Sequence, residues 1–127
     1  MYSVFFMAIY NLQFVNVKSL QDAKEEIHKI GSDSQSIEIM APKAVFKVIK
    51  LTNVVLQDAI IIKQDMLSLG GEVAVPKNTF ELYNTRGNIL IMGTLKQLGE
   101  LTKKLDRHYQ RLKDVAKGLS ILLKDIK

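Results

Sequence analysis

A seven-residue apolar repeat near the C-terminus constrains the fold of this chain more than any other feature. The apolar residues that recur every seven positions are Leu98, Leu105, Leu112, Leu119 and Ile126. The intervening positions of the heptads hold Leu101, His108, Val115 and Leu122. One continuous helix over residues 94–126 would be about 50 Å long at 1.5 Å per residue, much longer than a domain of this size is wide. We therefore expect the helix either to project or to break, near His108–Arg111 or at Gly118.

The positions beside this repeat distinguish a zipper from a docked helix. A parallel zipper usually carries complementary charges at its e and g positions, whereas the e-like positions here are Thr102, Tyr109, Ala116 and Leu123. Such a wide apolar stripe is typical of a helix that packs on a globular core or in a bundle. Packing on the chain's own sheet and homodimerisation both remain open. For the homodimer, the candidate interface residues in this segment are Leu112, Leu119, Leu122 and Ile126.

The rest of the chain alternates strand-like and helix-like segments. Runs with strand character cover residues 11–17, 44–51, 72–75 and 88–92. Capping residues predict helices that begin after Ser19, Asn53 and Thr94, and Gly31 and Gly70 end the first two. The segment 32–36 has the composition of a polar loop. The predicted order βαβαββα indicates an α/β fold with a small mixed sheet of about four strands packed by helices, the last helix long or broken.

The second predicted helix carries one apolar residue on its polar side. Its helical neighbours three and four positions away are Gln57, Asp58, Gln64 and Asp65, so we expect Ile61 to stand exposed among them. A single exposed isoleucine is usually incidental. The alternative is that Ile61 contacts a partner.

Charge divides the chain in two. Residues 1–93 hold nine Lys/Arg and nine Asp/Glu, whereas residues 94–127 hold nine and four, so the whole net charge of +5 belongs to the C-terminal segment. We treat 1–93 as a charge-neutral α/β body and 94–127 as a basic amphipathic helical part of the same domain, because 127 residues fit one core.

No cysteine is present, which excludes disulfides, thiol nucleophiles and thiolate zinc sites and agrees with a cytoplasmic location. The apolar start MYSVFFMAIY lacks a basic leader and is too short to span a bilayer, so we expect a strand or arm there and no membrane association.

The basic residues of the C-terminal segment allow contact with a phosphate backbone through charge alone. They are Lys103, Lys104, Arg107, Arg111, Lys113 and Lys117. No recognition-helix motif or aromatic RNA platform accompanies them, and a solvated helix face explains them equally well. Nucleic-acid binding is therefore a third-ranked alternative.

Several strings of the chain follow one family's order. They are IEIMAPKA, FKVIKL, KQDMLSLGGEVAV and LIMGT, and together they span most of Leu12–Leu105. This block resembles the domain that precedes the catalytic barrel in some clostridial and archaeal dihydropteroate synthases. The resemblance implies an association with folate biosynthesis, through the transferase that joins p-aminobenzoate to a pterin pyrophosphate. That reaction belongs to a TIM barrel of about 250 residues, for which this chain has no room, so no catalytic residue is carried over.

Two features of the chain bear on this resemblance. The Leu69–Val73 segment is better explained as a helix exit than as the Gly-Gly-Glu-Ser segment of the synthase barrel, because the serine is absent. The accessory domain tends to have a Pro-Phe-Gly break where this chain has His108–Arg111.

The strand-to-helix junction at Gly93 and Thr94 is the candidate ligand site. Free amides at a helix start hold anions, Lys96 lies close in sequence, and Lys43 after Pro42 belongs to the same family-like block. Ordinary capping by Thr94 and a solvated Lys43 are the alternatives. Neither histidine has metal-ligand spacing, no catalytic arrangement is identifiable, and we predict no metal and no cofactor.

These observations favour a non-catalytic accessory or interaction domain, which associates with a dihydropteroate synthase barrel or with a second copy. The alternative is a domain that binds a pterin or a phosphorylated small molecule, or a cryptic enzyme that acts on one.

Overall fold

The computed structural model describes residues 3–6, 10–77, 79 and 85–126. The chain begins with a two-stranded antiparallel hairpin of β1 (Ser3–Phe6) and β2 (Tyr10–Gln13), in which Val4 lies opposite Leu12 and Phe6 opposite Tyr10. The predicted first strand is thus present but shifted toward the N-terminus. This hairpin forms a sheet separate from that of the body.

Two short helices follow, α1 (Leu20–Ile30) and α2 (Ser34–Met40), and a 3-10 turn over Ala41–Lys43. The Ser19 hydroxyl accepts a hydrogen bond from the Asp22 amide at 3.1 Å, and Gly31 ends α1 with a φ of 94°, which confirms both predicted ends. The predicted polar loop over 32–36 was wrong. Asp33 caps α2 by accepting from the Ser36 amide at 2.9 Å, so the polar residues there start a helix.

The body contains a three-stranded sheet of β3 (Phe46–Val55), β4 (Glu72–Ala74) and β5 (Arg86–Thr94) in the order β3-β5-β4. The α/β fold with a small sheet is confirmed, but every pairing in this sheet is antiparallel, so the predicted mixed sheet was wrong. Since both β3 and β4 are antiparallel to β5, they run in the same direction. They do not pair because β5 lies between them.

The helix α3 (Leu56–Ser68) joins β3 to β4. Asn53 does not cap it, contrary to the prediction, because β3 continues past this residue to Val55. Asn53 instead lies at a bulge in β3 with a φ of 56°, and its backbone N–H donates to Asn88 Oδ1 at 3.0 Å. An asparagine accepts this left-handed conformation more readily than most residues do.

The C-terminal segment forms two helices, α4 (Leu95–Leu105) and α5 (Gln110–Lys124). The predicted break near His108 is confirmed, whereas Gly118 stays inside α5. At the break, the amides of Asp106 and His108 donate to the carbonyls of Thr102 and Leu105 at 3.1 and 3.2 Å. The seven-residue repeat thus folds back on itself, and most of it faces the same core.

The main core lies between one face of the sheet and the helices α3, α4 and α5. Its sheet side is formed by Val73, Ile89 and Ile91, and α4 and α5 supply Leu98, Leu101, Leu105, Leu112 and Leu119. A second, smaller core joins α1 to the 3-10 turn through Ala23, Ala41 and Val45. Both parts of the chain, 1–93 and 94–127, therefore contribute to the main core.

Candidate functional site

The face of the sheet that points away from the helices is the main candidate site. On this face, which we call the open face, Phe46 and Val48 of β3 are 60 and 58% exposed and Leu90 of β5 is 37% exposed. Val48 lies opposite Met92, and Phe46 opposite Thr94, in the β3–β5 register. Residues directly opposite in an antiparallel pair share a face, so these apolar side chains are neighbours.

The open face departs from the usual pattern of a half-buried antiparallel sheet. Such a sheet alternates apolar residues toward the core with polar residues toward water. Here β3 alternates the core-side Ile49 and Leu51 with Phe46 and Val48 on the other side. Because contiguous exposed apolar residues mark interaction surfaces more often than scattered ones do, the open face has the chemistry of a contact surface.

Opposite charges lie at the two edges of the open face. Lys50 stands on β3 across from Leu90, and Glu72 stands on β4 across from Met92. Both residues are exposed, although Glu72 Oε1 also accepts from Lys63 Nζ at 3.3 Å. A twofold axis parallel to the strands would place the β3 edge of one copy against the β4 edge of a second copy, so that Lys50 lies two residues along the strand from Glu72 of the second copy and the two edges are complementary in charge.

The predicted ligand junction is occupied by the chain's own groups. Thr94 and Gln97 form a reciprocal capping box. The backbone N–H of Gln97 donates to Thr94 Oγ1 at 3.1 Å, and the backbone N–H of Thr94 donates to Gln97 Oε1 at 2.9 Å. The Leu95 amide donates to the Val45 carbonyl at 2.9 Å. Most amides that an anion would need are thus satisfied within the chain.

The other residues of that junction also have ordinary structural roles. A Cβ atom at Gly93 would lie 2.3 Å from Met66 Cε, so this glycine gives room to the core. Lys96 Nζ donates to Glu100 at 2.8 Å, and Lys43 is exposed in the 3-10 turn nearby. Ligand binding by these four residues stays a prediction that the geometry does not favour.

The predicted interface residues fall into two groups. Leu112 and Leu119 are buried in the main core, and Ile61 packs partly buried against it, so these three are already covered by their own chain. The expectation that Ile61 stands exposed was therefore wrong. Its helical neighbours Asp58 and Asp65 contact residues 106–109 between α4 and α5, which we call the break segment, so this segment lies along the same side of α3. Leu122 remains exposed, and Ile126 is partly exposed.

A buried carboxylate that the sequence did not single out joins α3 to the residues that follow α4. Asp58 of α3 is 3% exposed, and its two oxygens accept from Arg111 Nε at 2.8 Å and Arg111 Nη2 at 3.0 Å. The Tyr109 hydroxyl donates to the same carboxylate, and the Arg111 guanidinium lies 4.9 Å from the centre of the Tyr109 ring. We call Asp58, Tyr109 and Arg111 the latch.

The latch shifts the titration of its members. Burial alone raises the pKa of Asp58, but the hydrogen bonds from Arg111 and Tyr109 outweigh it and hold the pKa below its ordinary value. Burial and the neighbouring Asp58 carboxylate raise the pKa of the Tyr109 hydroxyl. At neutral pH the latch is therefore an ion pair with a neutral tyrosine.

A second contact lies two helical turns along α3. His108 Nε2 is 2.9 Å from Asp65 Oδ2, and both side chains are partly exposed. Asp58 and Asp65 are seven residues apart and so lie on one side of α3. The sequence signal that could have predicted these contacts was the acidic pair together with the His-Tyr-Gln-Arg segment. The hydrogen-bond donors of that segment reach the pair only because the chain reverses direction after α4.

Three basic residues of the C-terminal segment meet in a groove that also holds acidic residues. Lys103, Lys113 and Lys117 line a polar groove of about 560 Å³ between α4 and α5, together with Asp106 and Asp114. Arg111 belongs to the latch instead. The groove therefore carries both signs of charge, which weakens the interpretation of this segment as a phosphate-binding surface.

Comparison of the chain with protein-family models, with curated proteins and with solved structures gave no match. None of the helices in the described part of the chain is long and apolar enough to cross a membrane. Among the described residues, no three His, Asp or Glu side chains are grouped so that they could hold a metal ion.

Proposed function

We propose that this protein is a non-catalytic interaction domain that associates with a second copy of itself through the open face of its sheet. The observation that carries the proposal is the exposure of Phe46, Val48 and Leu90 side by side on a face that none of the described helices covers. Burying such a face against another protein removes apolar surface from water, which stabilises the complex by roughly 25 cal/mol for each Å² of apolar surface buried.

A second copy is favoured as the partner because the open face is self-complementary. Lys50 on the β3 edge and Glu72 on the β4 edge accompany its apolar residues, so a twofold arrangement brings unlike charges to within two residues of each other along the strands. Sheets that pack face to face keep their strands within about 30° of each other, which suits this geometry.

The proposal is tested by measuring the oligomeric state of the full chain over a range of concentrations by sedimentation velocity. We expect a reversible dimer, which Val48→Lys converts to a monomer. Ile30→Lys is the matched control, because Ile30 is 83% exposed at the end of α1, away from the sheet. A wild-type chain that stays monomeric at the highest concentration would overturn self-association.

A dihydropteroate synthase barrel is the second candidate partner. The strings that resemble the synthase accessory domain include Phe46, Val48, Leu90 and Met92, which are the apolar residues of the open face. In this version the domain acts in folate biosynthesis as a cytoplasmic, non-catalytic companion of the barrel. Pull-down with a purified synthase barrel tests it, and binding that survives Val48→Lys would exclude the open face as the contact.

A further inference from the structure

The described side chains of the N-terminal hairpin include exposed apolar residues. Tyr10 and Leu12 of β2 are 73 and 59% exposed, and Phe14 just after it is 75% exposed. The alternation of a strand places Tyr10 and Leu12 on one side of β2, and Phe14 follows two residues later, just beyond the end of the strand. The first 17 residues of the chain contain no charged residue. An isolated two-stranded hairpin is marginally stable in water, so covering the apolar side of β2 would stabilise this one.

The body offers a surface that matches this hairpin. An apolar groove of about 460 Å³ runs between β3 and α5, and its apolar lining includes Ile49, Leu51, Val115, Leu119 and Leu122. Gly118 also lines it, and a Cβ atom there would meet nothing within 4 Å. Lys50 and Asp114 stand at the groove, so its charges balance. The groove therefore suits an uncharged apolar segment.

The edge of the sheet is open beside the groove. β3 is ten residues long and pairs only with β5 among the strands that the structure describes, so no described strand adjoins its outer edge. A strand that is added to such an edge forms main-chain hydrogen bonds, and its alternate side chains enter the neighbouring pockets. Because the side chains of a strand alternate between its two faces, every second side chain of the added strand would enter this groove.

We propose that the hairpin of one copy adds to the β3 edge of a second copy and inserts Tyr10, Leu12 and Phe14 into the groove between β3 and α5. This inference rests on the proposed self-association and specifies an additional contact, the exchange of N-terminal arms. Period-two apolar residues on the hairpin match a groove that lies on one side of an edge strand. In the twofold assembly each copy gives one hairpin and receives one.

The first test uses the absence of cysteine in the chain. Leu12→Cys in one preparation is mixed with Leu122→Cys in another, oxidised mildly, and separated on a non-reducing gel. We expect a disulfide-linked mixed dimer, identified by peptide mass, at least several times more abundant than with the control pair Leu12→Cys and Ile30→Cys. Equal yields from the two pairs would overturn the arm exchange.

The same two cysteines show whether the groove is filled by the hairpin of a second copy or by the hairpin of its own chain. When both substitutions are placed on one chain, a disulfide that forms without doubling the mass means that the hairpin folds back into its own groove, and the exchange is then wrong. A doubled mass supports it. The cysteine-free wild type gives the background for both measurements.

The second test separates this inference from the proposed function. Leu12→Lys and, independently, Gly118→Leu, which fills the groove, are each expected to raise the dimer dissociation constant about tenfold or more. Ile30→Lys and Gly99→Ala are the matched controls. If Val48→Lys abolishes the dimer while Leu12→Lys and Gly118→Leu leave its dissociation constant unchanged, the arm exchange fails and the proposed function stands. If the wild type does not associate, both fail.

Discussion

Replacement of the buried latch carboxylate, Asp58→Asn, is the change whose effect follows most directly from the structure. Asp58 accepts hydrogen bonds from Tyr109 and from two nitrogens of Arg111. The amide of asparagine keeps one acceptor oxygen but turns an NH₂ group toward the donors, so at least one arginine contact is lost. Each net hydrogen bond to a charged group contributes about 1.5–3 kcal/mol.

The contribution of the lost hydrogen bond to stability is smaller here because its donor, Arg111, reaches water. The Arg111 side chain is 54% exposed, so once released it is solvated again and leaves no buried unpaired cation. We therefore expect Asp58→Asn to lower the free energy of unfolding by about 1–3 kcal/mol. For a domain of this size that corresponds to a fall in Tm of roughly 4–12 °C.

The pH dependence of stability gives an independent readout of the same variant. The folded pKa of Asp58 is lowered, so its contribution is present above the unfolded pKa of about 3.9 and is lost as pH falls through the folded pKa. Urea unfolding at neutral pH and at successively lower pH measures this. The wild type should lose its advantage over Asp58→Asn in acid.

The matched control is Asp65→Asn, seven residues along the same helix. The Asp65 carboxylate pairs with His108, and both side chains are partly exposed, so we expect a loss under about 1 kcal/mol. If Asp58→Asn destabilises the protein no more than Asp65→Asn does at neutral pH, packing alone holds the break segment and the reasoning about the latch is wrong.

Three further changes are expected to have measurable effects. Tyr109→Phe should flatten the loss of stability at alkaline pH. The folded pKa of this tyrosine is raised, so the wild-type contribution is present below the unfolded value of about 10 and lost as pH rises through the folded pKa; parallel wild-type and variant alkaline unfolding curves would contradict this. Gly93→Ala should cost about 1–3 kcal/mol, because its methyl group would lie 2.3 Å from Met66 Cε, and chemical denaturation should show partial recovery in Gly93→Ala with Met66→Leu. Gly118→Ala should raise stability by up to about 1 kcal/mol, since a Cβ there meets nothing within 4 Å and alanine favours the helix; Gly99→Ala is the companion case, and a fall in Tm for both would refute the argument.

Local sequence signals predicted the ends of several elements. Ser19, Gly31 and the Thr94–Gln97 pair act through hydrogen bonds within four residues, so the amino-acid order alone contains the information. The break in the C-terminal helix was predicted for a different reason, because a 50 Å helix is too long for the domain. Failures of local prediction occurred at Asn53 and over 32–36, where a bulge in a longer strand and an aspartate cap replaced the expected structures.

The sheet and the candidate surfaces depended on contacts between distant residues. The insertion of β5 between β3 and β4 makes the sheet antiparallel, and no local pattern encodes which strand becomes central. The open face of Phe46, Val48 and Leu90 exists only because all the covering helices pack on the other side of that sheet.

The sequence by itself determined the caps, the apolar repeat and the need for that repeat to bend. Only the tertiary structure decided that Asp58 meets Arg111, 53 residues later in the chain, and that Ile61 beside it is partly buried. The physical reason is that capping energies depend on neighbours in sequence, whereas burial and the pairing of a buried charge depend on which surfaces the folded chain brings together.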